Sequence, residues 1–240
     1  MTPQPPPPVH RSPSKRRYAT PASCLALILI FSGCASLQLG QFRKHAARGD
    51  HQWIAAQAIT CRNASEECGQ LHLIKGEACF RLAKRDREPA VNFACAADEL
   101  AEGLTVKASW DDAGVQLQFQ QNLCEALSSL RELQSGEAAE QTRVRFFEAA
   151  RALYRLAPES VSAVYYLSSA RLMEMELMLE DIDAATRVPV CIRLKRTVTR
   201  VLAVMETARG RTLPDWDRFA DDYERLAFDL GAAIREADCR

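Results

Sequence analysis

Apolar residues recur at helical spacing throughout residues 42–240, and this one period constrains the fold more than any other feature of the chain. Prolines and glycines interrupt the pattern only at wide intervals, and no segment alternates apolar and polar residues as a half-buried strand does. The sequence therefore predicts an all-α domain of about eight helices. Because the connections are short, consecutive helices should pack as antiparallel hairpins.

Several residues mark where the predicted helices begin. Ser65, Ser160 and either Asp111 or Asp112 are N-cap candidates, since their side chains accept hydrogen bonds from the free amides of a first turn. Pro89 suits the first turn of the third helix, where its missing N–H costs nothing. These positions predict the starts of four helices.

The other boundaries are predicted from apolar spacing. The first helix is expected to run from about Phe42 to Thr60. The third is expected to end at Gly103, and the seventh to begin at Pro189. The inward face of the seventh helix is predicted to contain Ile192, Leu194, Val198 and Leu202.

Residues 1–33 have the organisation of a secretory signal peptide. Their basic residues are Arg11, Lys15, Arg16 and Arg17. An apolar run from about Ala22 to Phe31 follows, and small residues then lead to Cys34. The run is about half the ~20 residues needed to cross a bilayer, which favours a signal peptide over an N-terminal membrane helix.

The ending Ser32-Gly33-Cys34 resembles the lipobox of bacterial lipoproteins, with Phe31 where leucine is usual. The resemblance implies that Cys34 is acylated, palmitate being one such acyl group, and becomes the mature N-terminus. Residues 34–41 would then tether the lipid to a domain spanning residues 42–240. In that family an aspartate after the cysteine favours the inner membrane, so Ala35 implies the periplasmic face of the outer membrane. An ordinary signal peptide is the alternative.

The charge balance argues against a nucleic-acid partner. The chain has 31 basic and 31 acidic residues, and four of the basic ones lie in residues 1–33, which contain no acidic residue. Residues 34–240 therefore carry 27 basic and 31 acidic residues, a net charge of −4. Phosphate binding needs a concentrated basic face, which this balance does not indicate.

Seven cysteines follow Cys34, and an exported domain with so many thiols is expected to contain disulfides. Two pairs flank successive predicted interhelical loops almost symmetrically, which brings them together in antiparallel helices. These pairs are Cys61 with Cys68 and Cys79 with Cys95, while Cys191 with Cys239 is a less symmetric third candidate. Cys124 lies in an apolar stripe and is expected to be a buried free thiol.

A metal site is the alternative for some of these cysteines. Cys68, His72 and Cys79 share one helix face, with Cys61 just before them. Thiolates and an imidazole would suit zinc or copper. Disulfides explain all four cysteines more simply, so no metal or other cofactor is expected.

The junction of residues 157–170 resembles a tetratricopeptide repeat boundary. Pro158, Ala163, Tyr165, Leu167 and Ser168 occupy the positions of the helix-ending proline, the alanine, the aromatic residue, the leucine and the small residue in that family. A weaker resemblance to the small-residue positions of such a repeat lies in the predicted second and third helices, at Ile74, Gly76, Ala78, Ala90, Ala94 and Ala97. The resemblance implies a tetratricopeptide-like α-solenoid, and a generic helical bundle is the alternative.

The repeat length is not the family's. The small positions Gly76 and Ser168 are 92 residues apart, whereas two steps of the ~34-residue repeat would span only ~68. The repeats are therefore lengthened, degenerate or similar in shape only.

No enzyme activity is expected, since the sequence contains no Gly-x-Ser-x-Gly, His-Glu-x-x-His, phosphate-loop or Cys-x-x-Cys motif. The resemblances instead imply a lipid-anchored periplasmic scaffold that presents a helical groove to a protein or peptide partner in envelope assembly or secretion. The alternative is a ligand- or metal-binding accessory lipoprotein of an uptake system.

Four residues are candidates for contacting that partner. Tyr165, Tyr166, Arg171 and His72 would lie near one groove if the first helices of successive hairpins line a common face. Aromatic residues and arginine are enriched in binding hot spots. Core packing is the alternative for at least one of the two tyrosines.

We predict that Cys34→Ala abolishes lipidation and leaves either an uncleaved precursor or a chain released from the membrane fraction. A multiply acylated cysteine anchors firmly, whereas an unmodified chain has no such anchor. Mass spectrometry of the mature N-terminus measures the modification. Cys24→Ala, inside the predicted signal peptide, is the control and should leave it unchanged. An unmodified N-terminus in the wild-type mature protein would contradict the prediction.

Overall fold

The computed structural model describes residues 22–61, 65–107, 109–180 and 182–239, with backbone alone for residues 22–34 and 184. The predicted basic n-region and the Cys34 side chain lie outside this description. The described residues form α-helices and no strand, which confirms the predicted all-α class. The helices are α1 (Ala22–Ala47), α2 (His51–Ala56), α3 (Glu66–Ala83), α4 (Pro89–Val106), α5 (Ala113–Glu132), α6 (Gly136–Leu156), α7 (Val161–Leu179), α8 (Ala184–Gly210) and α9 (Trp216–Glu236).

The helices stack as antiparallel hairpins in two layers. Each helix packs against the next one along the chain. The odd-numbered helices also contact one another in order, from α1 to α3, α5, α7 and α9. No two even-numbered helices make comparable contact in the described residues. The odd helices therefore form one layer, and α2, α4, α6 and α8 form a second, more widely spaced layer, as in a helical-repeat fold.

The repeat is longer than that of the family it resembles. Helices α3, α5 and α7 start at residues 66, 113 and 161, which are 47 and 48 residues apart. The two steps together, 161 − 66 = 95 residues, are close to the 92 residues that separate Gly76 from Ser168. The helices of these hairpins are 18 to 27 residues long.

The hairpin of α3 and α4 is built on two reciprocal glycine contacts. A Cβ atom on Gly76 would lie 2.7 Å from Cγ and 2.9 Å from the backbone nitrogen of Leu100. A Cβ on Gly103 would lie 2.7 Å from Cγ and 2.9 Å from the backbone nitrogen of Leu73. Both leucines are buried, at 0% and 2% exposure. The two glycines therefore allow the helix backbones to approach to a distance that any larger residue would prevent.

The predicted helix starts are confirmed at four positions. The hydroxyl of Ser65 accepts a hydrogen bond from the Cys68 amide, and the hydroxyl of Ser160 accepts one from the Ala163 amide. Asp112, the second of the two aspartates considered, accepts from the amide of residue 114 at 2.7 Å. Pro89 is the first residue of α4. Local capping chemistry therefore places these helix ends.

The single helix predicted from Phe42 to Thr60 is wrong. The chain instead turns between α1 and α2 at Gly49, whose φ of +70° is a conformation that glycine adopts readily. The carboxylate of Asp50 then caps α2 by accepting from the Trp53 amide at 3.2 Å. Residues 34–41 are also helical, and Leu39 packs with Phe42 in a small core cluster against α3. This segment is part of the folded hairpin whether or not it is also attached to a lipid.

Two further boundaries were predicted wrongly. Gly103 does not end α4, which continues to Val106. This glycine instead allows the close contact of α4 with α3. Helix α8 begins at Ala184, since the carboxylate of Asp183 accepts hydrogen bonds from two first-turn amides. Pro189 therefore lies inside α8 rather than at its start.

The buried face of α8 also differs from the prediction. Leu194 is fully buried as expected, and Val198 is half-buried. Ile192 and Leu202 are 47% and 50% exposed. The buried positions are Val190, Leu194, Thr197 and Val201. They share one face at helical spacing, rotated from the predicted face.

All three candidate disulfides form. Cys61–Cys68 joins the segment before α3 to its first turn, Cys79–Cys95 joins α3 to α4, and Cys191–Cys239 joins α8 to the segment after α9. The Cα atoms of the three pairs are 5.8, 5.9 and 5.4 Å apart. Cys124 is a buried free thiol, and burial raises its pKa far above the usual value.

We predict that Gly76→Ala lowers the free energy of unfolding by about 1–3 kcal/mol, because the added methyl group collides with the Leu100 backbone. Denaturant unfolding followed by circular dichroism measures the change. Gly231→Ala in α9 is the matched control, since its Cβ would meet only the Arg235 guanidinium at 3.5 Å. Alanine should raise stability there by about 0.5–1 kcal/mol through helix propensity. Equal changes of the same sign at both glycines would contradict the close-packing account.

Candidate functional site

A cavity of about 420 Å³ lies between α6 and α8, with α7 as its floor. Its lining residues are Phe147, Arg151, Arg171, Glu174, Met175, Arg193, Arg196 and Thr197. We call this the arginine cavity. It occupies the gap between α6 and α8, which lie in the second layer and make no contact comparable to that of successive helices in the described residues. The packing of the two layers therefore creates it.

Four arginines against one glutamate give the cavity a positive charge. Three helices contribute: Arg151 comes from α6, Arg171 from α7, and Arg193 and Arg196 from α8. A sequence signal for this charge exists, because residues 184–204 of α8 contain five basic residues and no acidic one. The net charge of −4 for residues 34–240 does not reveal this local excess of basic residues.

Intramolecular ion pairs neutralise little of this charge. Arg151 has one distant partner, with Nη1 3.7 Å from Oε1 of Glu148 on the same helix. Arg171, Arg193 and Arg196 make no ion pair within the described residues. The three guanidinium groups can therefore bind an external anion without first breaking a salt bridge.

The environment of Arg171 reflects crowding of like charges. Burial, followed by the nearby guanidinium groups of Arg200 and Arg151, lowers the pKa of Arg171. Arg200 lies with its Cζ 5.2 Å from the ring centroid of Tyr154, and its Nη1 is buried without a hydrogen-bond partner in the described residues. An arginine remains protonated at neutral pH even after a moderate decrease. A bound carboxylate or phosphate would relieve this repulsion.

The lining chemistry suits the binding of an anion. Arginine presents a rigid fork of donors that matches carboxylate and phosphate oxygens. Phe147 supplies apolar surface, and Cζ of Arg151 lies 5.7 Å from its ring. The lining has one hydroxyl and one carboxylate, but no histidine or cysteine. Nothing in it resembles an activated nucleophile with its general base.

Cavity size alone would favour another location. A larger cavity of about 580 Å³ lies beside α2 and the turn between α3 and α4. Its two charged residues, Arg87 and Glu88, balance each other. The arginine cavity is smaller, but its unbalanced charge gives it a defined ligand class, so we consider it the stronger site.

The two predicted tyrosines lie in or beside the core. Tyr166 is only 4% exposed, and its ring packs edge-on against Phe146 and Phe219 at 6.2 and 5.7 Å. Tyr165 is half-buried and packs against Phe219 and Tyr223 of α9. Tyr166 is therefore a core residue, because its position on α7 faces the interior rather than solvent.

The other two predicted residues lie on different helices and have different surroundings. His72 of α3 contacts Glu99 of α4, with Nδ1 2.6 Å from Oε2. Arg171 lines the arginine cavity, on the side of the second-layer helices. The structure therefore does not bring the four residues together on the first-layer face. Only Arg171 belongs to the charged cavity described here.

Comparison with known proteins provides no functional assignment. No protein-family model matches the chain, and no curated protein sequence matches it. Its function is therefore inferred from the geometry of the described residues.

Within the described part of the chain, none of the helices combines the length and the apolar character that crossing a membrane requires.

We predict that Tyr166→Ala and Arg171→Gln have different effects on stability. Loss of the buried ring should lower the free energy of unfolding by about 3–5 kcal/mol. Arg171→Gln should leave stability unchanged or slightly higher, because it removes a partly desolvated charge that neighbouring arginines repel. Thermal unfolding of the single variants measures both effects. A strongly destabilised Arg171→Gln variant would show that this side chain is structural.

Proposed function

We propose that this protein is a lipid-anchored periplasmic scaffold whose arginine cavity binds an acidic segment of a partner protein. The observation that carries the proposal is the cavity itself, where four arginines face one glutamate. Arginine is enriched in binding hot spots, and charge-assisted hydrogen bonds from a guanidinium to a carboxylate are among the stronger ones.

An apolar strip beside the cavity favours a peptide segment as its ligand. Val188, Ile192 and Arg196 follow one another at four-residue intervals on α8 and so lie along one stripe of that helix. Val188 and Ile192 are 62% and 47% exposed. The stripe leads from apolar surface to the guanidinium groups. A segment with acidic residues next to an apolar side chain complements both parts.

We infer the membrane attachment from the resemblance of residues 32–34 to a lipobox, and Ala35 favours the outer membrane. The folded state of α1 is compatible with this attachment, because Ala35 and Leu39 are 9% and 5% exposed. A lipid on Cys34 would then be joined to the helical stack through α1 without a free linker. The partner would be bound close to the periplasmic face of that membrane, as envelope assembly or secretion requires.

The volume of the cavity supports a second candidate. About 420 Å³ falls within the range of small-molecule sites, and an uptake accessory lipoprotein could hold an anionic ligand there. A small ligand would need the arginines but not the apolar stripe. Ile192→Ser therefore separates the candidates, since it should weaken a peptide and leave a small dicarboxylate unaffected.

We predict that a peptide of alternating glutamate and leucine binds the mature chain, and that the matching glutamine peptide does not. The double change Arg171→Gln with Arg193→Gln should weaken binding by about 100-fold, since hydrogen bonds to charged groups contribute about 1.5–3 kcal/mol each. Fluorescence anisotropy measures the dissociation constant. Binding should also decrease with added salt, as expected for exposed charges.

Arg209→Gln is the matched control for this experiment. Arg209 lies on the same helix and is 75% exposed, and its Nη1 is 3.0 Å from Glu206. Its substitution removes one positive charge outside the cavity and should leave peptide affinity unchanged. Equal weakening by the control would mean that net charge, rather than the cavity, determines binding. Equal affinity for the acidic and glutamine peptides would refute the proposal.

A further inference from the structure

A second group of chemically active side chains lies far from the arginine cavity, at the start of α3. The donor atoms of Cys61, Cys68 and His72 all lie within 4.8 Å of one another. Cys68 and His72 are four residues apart and share a face of α3, and the Cys61–Cys68 disulfide brings Cys61 to that face. Cys79, which the sequence places on the same face, instead pairs with Cys95 of α4.

The His72 ring has a carboxylate partner on the neighbouring helix. Its Nδ1 lies 2.6 Å from Oε2 of Glu99, and Oε1 of Glu99 lies 2.8 Å from Nζ of Lys75. The Nδ1 hydrogen donates to this carboxylate, and in the neutral ring that leaves the lone pair on Nε2. Metal-binding histidines commonly have such a carboxylate partner.

This arrangement distinguishes Cys61–Cys68 from the other disulfides. In the described part of the chain, these are the only three histidine, cysteine or acidic residues grouped closely enough to hold a metal ion. Cys79–Cys95 and Cys191–Cys239 have no such third ligand there. Cys61–Cys68 is therefore the disulfide whose reduction would leave two thiols beside an imidazole.

We propose that Cys61, Cys68 and His72 form a zinc site that opens when the Cys61–Cys68 disulfide is reduced. A dithiol reductant supplies two electrons and two protons, so the disulfide becomes two thiols and the reductant becomes a disulfide. Zn²⁺ then displaces one proton from each thiol and binds two thiolates and the His72 Nε2. Three protein ligands leave the fourth tetrahedral position for water or another donor. A disulfide oxidant re-forms the Cys61–Cys68 bond, takes up the two electrons with two protons and becomes two thiols. The ion is then released, since a disulfide offers no thiolate.

The zinc site is independent of the arginine cavity. Its three ligands and Glu99 lie on or beside α3 and α4, whereas the cavity lies between α6 and α8. Loss of peptide binding would therefore leave the zinc proposal intact, and loss of zinc binding would leave the peptide proposal intact.

The test measures Zn²⁺ affinity of the mature chain by competition with a chromogenic chelator, before and after reduction. The reduced protein should bind one equivalent of Zn²⁺ that the oxidised protein does not bind. The double variant Cys61→Ser with Cys68→Ser should lose this equivalent. Glu99→Gln should weaken the Zn²⁺ affinity by about 10–100-fold, the usual effect of losing a carboxylate that orients a ligating histidine. His72→Ala should weaken the Zn²⁺ affinity further.

The matched control is Cys79→Ser with Cys95→Ser, which removes two thiols of the same hairpin that have no histidine beside them. This variant should retain the zinc equivalent. Reduced wild-type protein that binds no more Zn²⁺ than the Cys61→Ser, Cys68→Ser variant would overturn the proposal. So would equal binding by the oxidised and reduced wild-type proteins.

A second measurement covers the case in which reduction unfolds the chain. Adding Zn²⁺ to the reduced wild-type protein should restore helical circular dichroism, because metal binding is coupled to folding. The Cys61→Ser, Cys68→Ser variant should show no such recovery. Failure of Zn²⁺ to restore the reduced wild-type protein more than this variant would also overturn the proposal.

Discussion

The backbone contact between α3 and α4 is the constraint on which the stack depends. Two glycines, Gly76 and Gly103, each receive a buried leucine from the opposite helix. Interiors are packed to the density of organic crystals, so a contact this close leaves no freedom of register. Helix α3 also packs against α1, α2 and α5. The α3–α4 hairpin therefore sets the positions of the helices in the N-terminal half.

Farther along the chain, buried polar bonds contribute to register where no such glycine pair exists. The amide of Gln120 in α5 donates to the carbonyl of Ala149 in α6 at 3.0 Å. The hydroxyl of Tyr223 in α9 donates to the carbonyl of Val161 in α7 at 2.8 Å. Because an unpaired buried polar group is costly, each bond favours one alignment of its two helices over shifted ones.

The two layers have unequal spacing, and the arginine cavity is a consequence. Odd-numbered helices touch one another in order, and those from α3 to α9 share the main core, while α6 and α8 lie on either side of α7. Arginines tolerate the resulting gap because their long side chains reach solvent while their stems cover apolar surface. Burial and, after it, the nearby Arg200 guanidinium lower the pKa of Arg171. The site thus combines tolerable packing with unfavourable charge, which a bound anion would relieve.

The sequence by itself determined the all-α class, the caps at Ser65 and Ser160, and the cysteine pairs about the first two loops. Each depends on residues close along the chain, where helical period and capping chemistry act directly. Only the tertiary structure decided that Tyr166 is buried, that Gly103 is a contact rather than a helix end, and that three helices bring their arginines together. Periodicity defines which residues share a face of one helix, but the packing of helices distant in sequence decides which faces meet.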